Sequence, residues 1–228
     1  MKSDLIVVGG GAAGVMAALV AAKKGAAVAL IEKNKSLGRK LAITGGGRCN
    51  LTNQADIGEL IKNTPGNGRF LYSAFRRFGP EDVIRLFEDE LGVKLKVERG
   101  RRVFPASDQA QEVVDAIGRQ LQRLGATVLT STKVISLTID EAEKRVSGVR
   151  CDNGKEIQAP AVIIATGGLS YPGTGSTGDG LHWAEAAGHT LVPCFPSLVP
   201  LVIREEWPGQ LEGLSLTNVN LTVWNGQK

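Results

Sequence analysis

Cysteine and histidine are scarce in this 228-residue chain. The three cysteines, Cys49, Cys151 and Cys194, have neither an even count nor CxxC spacing, which argues against a disulfide framework and a metal site and makes a reducing cytoplasm the expected location. There are two histidines, His182 and His189, so few residues are available as a histidine acid–base pair. His189 follows the expected end of a helix, where it should satisfy end carbonyls. No tract of five consecutive basic residues occurs, although the net charge is +4. That balance favours an anionic ligand, and a dinucleotide satisfies it as well as RNA does. No apolar run is long enough to span a bilayer, because residues 15–31 are interrupted by Lys23 and Lys24, and neither a signal peptide nor an internal repeat is read.

What the chain does hold is an ordinary globular balance, 43% hydrophobic and 22% charged, together with 29 glycines that cluster at 9–14, 45–47 and 167–180. Residues 4–8 form a β-branched run ending in glycines. An alanine-rich stretch, 12–24, follows and stops at Gly25, and a second apolar run at 27–31 ends on Glu32. This order predicts a βαβ unit with parallel strands. Residues 33–53 are polar and glycine-rich with little periodicity, and are read as a long ordered loop.

Helices are expected over 70–78 and 80–91, then from a cap at Ser107 or Asp108 to Gly125, and over 179–187. Strands are expected over 127–139 with a break near 130–133, over 146–151 and 156–158 as a hairpin, and over 161–165. Beyond Pro193, residues 198–203 and 214–223 read as apolar strands punctuated by proline.

Gly9, Gly11, Ala12, Ala13 and Gly14 lie in a GxGxxG that follows a strand and opens a helix. Gly9 permits the tight turn, Gly11 lets backbone approach a pyrophosphate, and Gly14 lets helix and strand pack closely. Glu32 stands at the end of the second strand, where a carboxylate bonds an adenosine ribose. Lys33 follows it. The unit is then interrupted and resumed by a strand ending Ala165-Thr166-Gly167-Gly168. That organisation resembles the glutathione-reductase-like, Rossmann-type FAD-binding α/β fold.

The stretch Gly38-Arg39-Lys40-Leu41-Ala42-Ile43-Thr44-Gly45-Gly46-Gly47-Arg48-Cys49-Asn50-Leu51-Thr52-Asn53 narrows the resemblance, as do residues 100–107 and 165–188 with Ser170-Tyr171-Pro172. The chain resembles the BaiN-like family of flavoproteins, relatives of which are described as bile-acid enone reductases or aminoacetone oxidases. The resemblance implies an FAD-dependent oxidoreductase whose flavin exchanges hydride with NAD(P)H or a small organic substrate, by enone reduction or amine oxidation.

In that setting Arg39 and Lys40 neutralise pyrophosphate charge, while Gly45, Gly46 and Gly47 bring amides to the flavin beside Thr44 and Asn50. Arg48 stabilises an anion or forms a structural salt bridge, and Tyr171 donates a proton or is an ordinary hydrogen-bonded tyrosine. Cys49 is a redox-active thiol or, as a single cysteine beside glycines, a small packed side chain. Val134, Ala165, Thr166 and Gly167 are implied at the adenosine and pyrophosphate.

The same resemblance implies an FAD-binding domain over 1–192 that lacks its C-terminal return segment, and the beginning of an inserted β-rich domain over 193–228. Unpaired strand edges there predict self-association. Arg69, Arg76, Arg77, Arg99, Arg101 and Arg102 concentrate positive charge, and the Arg99, Arg101 and Arg102 group reads as a solvated surface turn or a substrate anion site. Rival readings are an NAD-only dehydrogenase, a non-catalytic dinucleotide-binding fragment and a tRNA-modifying flavoprotein. The favoured partner is a small-molecule substrate, with neither nucleic acid nor a membrane.

Overall fold

Two short apolar runs form the centre of the fold: β1 (Leu5–Val8) and β2 (Val28–Ile31), joined by α1 (Ala12–Lys23). The computed structural model describes residues 2–199, 202–216, 219–222, 224 and 226. After β2 come α2 (Arg39–Gly47), β3 (Thr52–Asn53), α3 (Ile57–Lys62), α4 (Tyr72–Arg77) and α5 (Pro80–Arg85). The chain continues through β4 (Leu95–Glu98), β5 (Arg102–Pro105), α6 (Ala110–Arg123), β6 (Thr127–Leu129) and β7 (Val134–Asp140). It then forms β8 (Arg145–Cys151), β9 (Glu156–Gln158), β10 (Val162–Ile164) and α7 (Asp179–Ala186).

The central sheet is parallel throughout, in the order β10-β1-β2-β6. Its two middle strands are apolar along their length because both faces are covered. Val7, Val28 and Leu30 pack with Val15, Leu19, Val113 and Ile117 of α1 and α6. Ile6, Val8, Ala29 and Ile31 point the other way, onto Val134, Val149, Cys151 and Ile157 of the antiparallel meander β7-β8-β9. Register is tightly specified, since a one-residue slip would exchange these two side-chain sets between helices and meander. A second small sheet, β3-β5-β4, sits in the segment between β2 and α6. This is the Rossmann-type α/β class expected from the βαβ signal.

Three helices close in the same way. The amides of Ala26, Ala126 and His189 donate to carbonyls of Ala21, Leu121 and Ala184, with Gly25, Gly125 and Gly188 left-handed at the preceding position. These are Schellman closures. His189 therefore satisfies an end carbonyl through its backbone amide.

Several local expectations are corrected. Residues 33–53 are not a continuous loop: α2 forms within them because Leu37, Leu41 and Ala42 join the core beside Val114 of α6. That helix breaks at Thr44, Gly45 and Gly46, whose backbone is non-helical. The cap of α6 is Gln109, since Asp108 adopts a left-handed φ of 56° and its carboxylate turns to Lys96. Ser107 Oγ accepts from Gln109 N at 3.2 Å, one position before the helix.

The chain divides into two units, Met1–Leu191 and Val192–Lys228. In the second, the described residues hold a 3-10 turn, Trp207–Leu211, and no strand. The strands expected over 198–203 and 214–223 are therefore absent there, with 200, 201, 217, 218 and 223 outside the described residues. A strand needs a partner edge for its backbone groups, and none of these described residues pairs with another. Leu198, Val202 and Leu221 stay more than 90% exposed. No described helix is long and apolar enough to cross a membrane.

Candidate cofactor site

Where β1 enters α1, a cleft of about 730 Å³ opens between the glycine turn, the segment after β2 and the segment that joins β10 to α7. The turn is built by close approach. A Cβ on Gly14 would stand 1.8 Å from the Gly9 carbonyl oxygen, and one on Gly9, at φ +110°, would stand 2.3 Å from the Ala165 carbonyl oxygen. Only glycine lets strand, helix and the Ala165 segment meet at this spacing. At Gly11 a Cβ would meet nothing within 4 Å. Among the described residues no side chain caps α1, so its first amides face the cleft free of a side-chain partner there.

Glu32 is the anchor of the turn. The residue is 7% exposed, and its carboxylate accepts from Gly10 N at 2.6 Å, Asn34 N at 2.7 Å and Asn34 Nδ2 at 2.6 Å. Such charge-assisted bonds offset the cost of burying the carboxylate. Asn34 extends the network, donating to Thr174 O at 3.2 Å and accepting from Arg39 Nη1 at 2.8 Å.

Two lysines reach across the cleft. Lys33 Nζ donates to Thr177 Oγ1 and Asp179 Oδ2, both at 2.6 Å, and Lys40 Nζ donates to Ser176 Oγ at 2.6 Å and Ser170 O at 2.9 Å. Burial alone would raise the Asp179 carboxyl, but hydrogen bonds from Lys33 and Thr177 and the Lys33 and Lys133 charges hold it below the usual carboxylate range. Asp179 opens α7, where an anion also meets the positive end of the helix.

Gly9, Gly11, Ala12, Ala13, Glu32, Lys33, Arg39, Lys40, Thr44, Val134, Ala165, Thr166 and Gly167 all line this cleft. Gly14 lies just behind it as the packing glycine. Gly45, Gly46, Gly47 and Asn50 do not line it, nor do Arg48 and Tyr171. Arg48 donates to Glu98 at 2.7 Å and to Asp108 at 3.2 Å, and its guanidinium lies 4.1 Å from the Phe104 ring centroid. The hydrogen bond to Glu98 dominates in raising the Arg48 pKa and, reciprocally, lowers that of Glu98. Tyr171 is exposed, with a left-handed backbone. Cys49 is fully buried, and burial pushes its thiol up.

Asn34, Thr132, Ser176, Asp179 and Trp183 also line the cleft and were not singled out from the sequence. Ser176 and Asp179 fall within residues 165–188, one of the stretches that carry the family resemblance. Asn34 had no signal, because its partners come from segments up to 140 residues away.

A family model described as the HI0933-like protein Rossmann domain matches residues 3–224. A 3-dehydro-bile acid delta(4,6)-reductase of Clostridium scindens is 34% identical, covering 87% of this chain and 47% of the relative. A ribosomal RNA dihydrouridine synthase of Haemophilus influenzae is 32% identical, covering 99% and 55% respectively. The chain thus spans about half the length of these curated relatives. Among solved structures, a 3-ketosteroid-delta4-(5alpha)-dehydrogenase from Rhodococcus jostii shares the fold at TM-score 0.63 and 18% identity, over 82% of this chain and 54% of that one.

Proposed function

We propose, on the premise that the chain belongs to the HI0933-like family of Rossmann-domain proteins, that it holds FAD in this cleft as part of an FAD-dependent oxidoreductase. The observation that carries this reading is the uncapped α1 N-terminus beside Gly11, open to a cleft that also contains Glu32, Arg39 and Lys40. The residues fit a dinucleotide. The α1 amides, Arg39 and Lys40 would hold the pyrophosphate. Glu32 would take the ribose hydroxyls with remaining acceptor capacity, while Val134 and Thr132 would flank the adenosine.

Bound FAD supplies hydride exchange, and the protein supplies binding and electrostatics. NAD(P)H is the proposed donor and a small organic molecule the proposed substrate, with enone reduction or amine oxidation as the reaction class. The reductase relative supports the former. Of the two catalytic candidates, Tyr171 keeps its phenol exposed, whereas Arg48 is committed to Glu98 and Asp108. Tyr171 is therefore the proposed proton donor, and Arg48 the residue that steadies the Gly45–Gly47 turn through its bond to Gly45 O at 3.2 Å. A cytoplasmic location belongs to the same proposal.

The test is to denature the purified chain and identify any released cofactor by absorption and mass. Released FAD supports the reading. A protein that releases no flavin, and shows no binding when FAD is titrated, overturns it. Anaerobic reduction of the bound flavin by NADH or NADPH tests the donor.

A second reading, a flavoprotein that modifies RNA, is favoured by a strongly basic surface around α3, α4 and the β4–β5 turn. The dihydrouridine synthase relative, aligned along nearly the whole chain, supports it.

A further inference from the structure

Residues 55–78 and 99–102 hold seven basic and two acidic side chains, a net of +5 against +4 for the whole chain. The positive charge of the protein is therefore concentrated here. The two segments are tied together: Arg101 pairs with Glu59 at 2.6 Å, Asn53 Nδ2 donates to Gly100 O at 2.8 Å, and Gln54 N donates to Arg101 O at 2.8 Å. All seven basic residues are exposed. Among the described residues, Lys62, Arg69, Arg76, Arg77, Arg99 and Arg102 have no carboxylate partner.

Aromatic rings stand exposed among these cations. Phe70 is 80% exposed beside Arg69, and Tyr72 is 49% exposed with the Arg76 guanidinium 5.7 Å from its ring centroid. None of these residues lines the cofactor cleft. An apolar protein partner would cover the rings but strip water from unpaired guanidinium groups. A bilayer surface is best met by a long amphipathic helix, and α3 and α4 have six residues each. A single-stranded polynucleotide matches both features, with phosphates on the arginines and unstacked bases on the rings.

We infer that this lobe docks a single-stranded RNA segment. The inference rests on the second functional reading and assigns it a surface separate from the cleft. Arg76, Arg77, Arg99 and Arg102 would contact phosphates, and Phe70 would stack on a base.

The experiment measures fluorescence anisotropy of a labelled, unstructured RNA of about 12 nucleotides, within the length range that single-strand sites cover. It compares the 228-residue chain, Arg76→Glu/Arg77→Glu, Arg99→Glu/Arg102→Glu and Phe70→Ala over a range of salt. Binding should weaken as salt rises. Each charge-reversal pair should weaken it more than about tenfold and make the log–log salt slope shallower by about 1.4, from roughly 0.7 per phosphate contact.

Phe70→Ala should weaken binding about fivefold or more with the slope kept, as expected for one lost base stack. Two charge pairs on separate elements guard against a folding defect in either. Equal binding by all four proteins, absence of salt-dependent binding, or preference for phosphatidylserine vesicles over RNA would overturn the inference. Flavin content is read on the same samples, so failure of RNA docking is distinguished from failure of the cofactor reading.

Discussion

The Lys33 ammonium donates to the Asp179 carboxylate at 2.6 Å, tying the residue two positions beyond β2 to the first residue of α7 across 146 positions. Both side chains are about three-quarters withdrawn from solvent, at 24% and 23% exposure. With the Lys40 to Ser176 bond, this pair holds the 170–180 segment against the edge of the cleft.

Asp179→Asn should remove that tether and lower stability by about 1–3 kcal/mol at neutral pH, since a partly buried ammonium loses its anion. The sign with pH follows from the depressed Asp179 carboxyl. Its contribution is complete above the ordinary carboxylate range, near pH 4, and is lost as pH falls through the lower folded value. Thermal melts between pH 7 and pH 3 should show a flatter acid limb for the variant. Parallel acid limbs for the two proteins would reject the assignment.

Gly14→Ala and Gly11→Val should separate packing from binding. The first forces a methyl to within 1.8 Å of the Gly9 carbonyl oxygen and should cost about 1–3 kcal/mol or more through overpacking. The second adds bulk where a Cβ meets nothing, so the melting temperature of the flavin-free protein should hold while flavin retention is lost. Flavin content and melting curves on both variants check the pair. Full occupancy in Gly11→Val would remove the helix N-terminus from the site.

Glu32→Ala leaves the Gly10 and Asn34 backbone amides without an acceptor, and Asn34 Nδ2 with Thr174 O alone. The expected loss is at least about 2 kcal/mol of stability, together with weakened FAD retention. Urea denaturation separates the two effects. A variant with wild-type stability and lowered flavin content would show that Glu32 acts on the ligand alone.

The three thiols should react in two classes. Cys194 is exposed, whereas Cys49 and Cys151 are buried and both have thiols pushed up by burial. A thiol reagent at mild pH should modify one cysteine per chain quickly and the other two at the rate of opening. Two fast thiols in the folded protein would contradict the packed role of Cys49.

The local features of this protein were legible in the order of its residues. The βαβ unit followed from apolar runs separated by glycines. The helix ends at Gly25 and Gly125 followed from left-handed caps that lie within a few residues of the carbonyls they satisfy. The GxGxxG gave the turn and its open helix end, because strand, turn and helix are consecutive there. Helix α2 was missed for the opposite reason: its stability comes from Leu37 and Leu41 packing beside Val114, a residue far along the chain.

Tertiary structure alone decided the partners of the charged side chains. Glu32 meets Gly10, Lys33 meets Asp179, Lys40 meets Ser176, and Arg48 meets Glu98 and Asp108. A buried or half-buried charge takes whichever counter-group the folded backbone brings within about 3 Å. Sequence spacing sets only its neighbours along one helix or strand, so sequence determined the scaffold of the cleft and three-dimensional packing determined how its polar groups are paired.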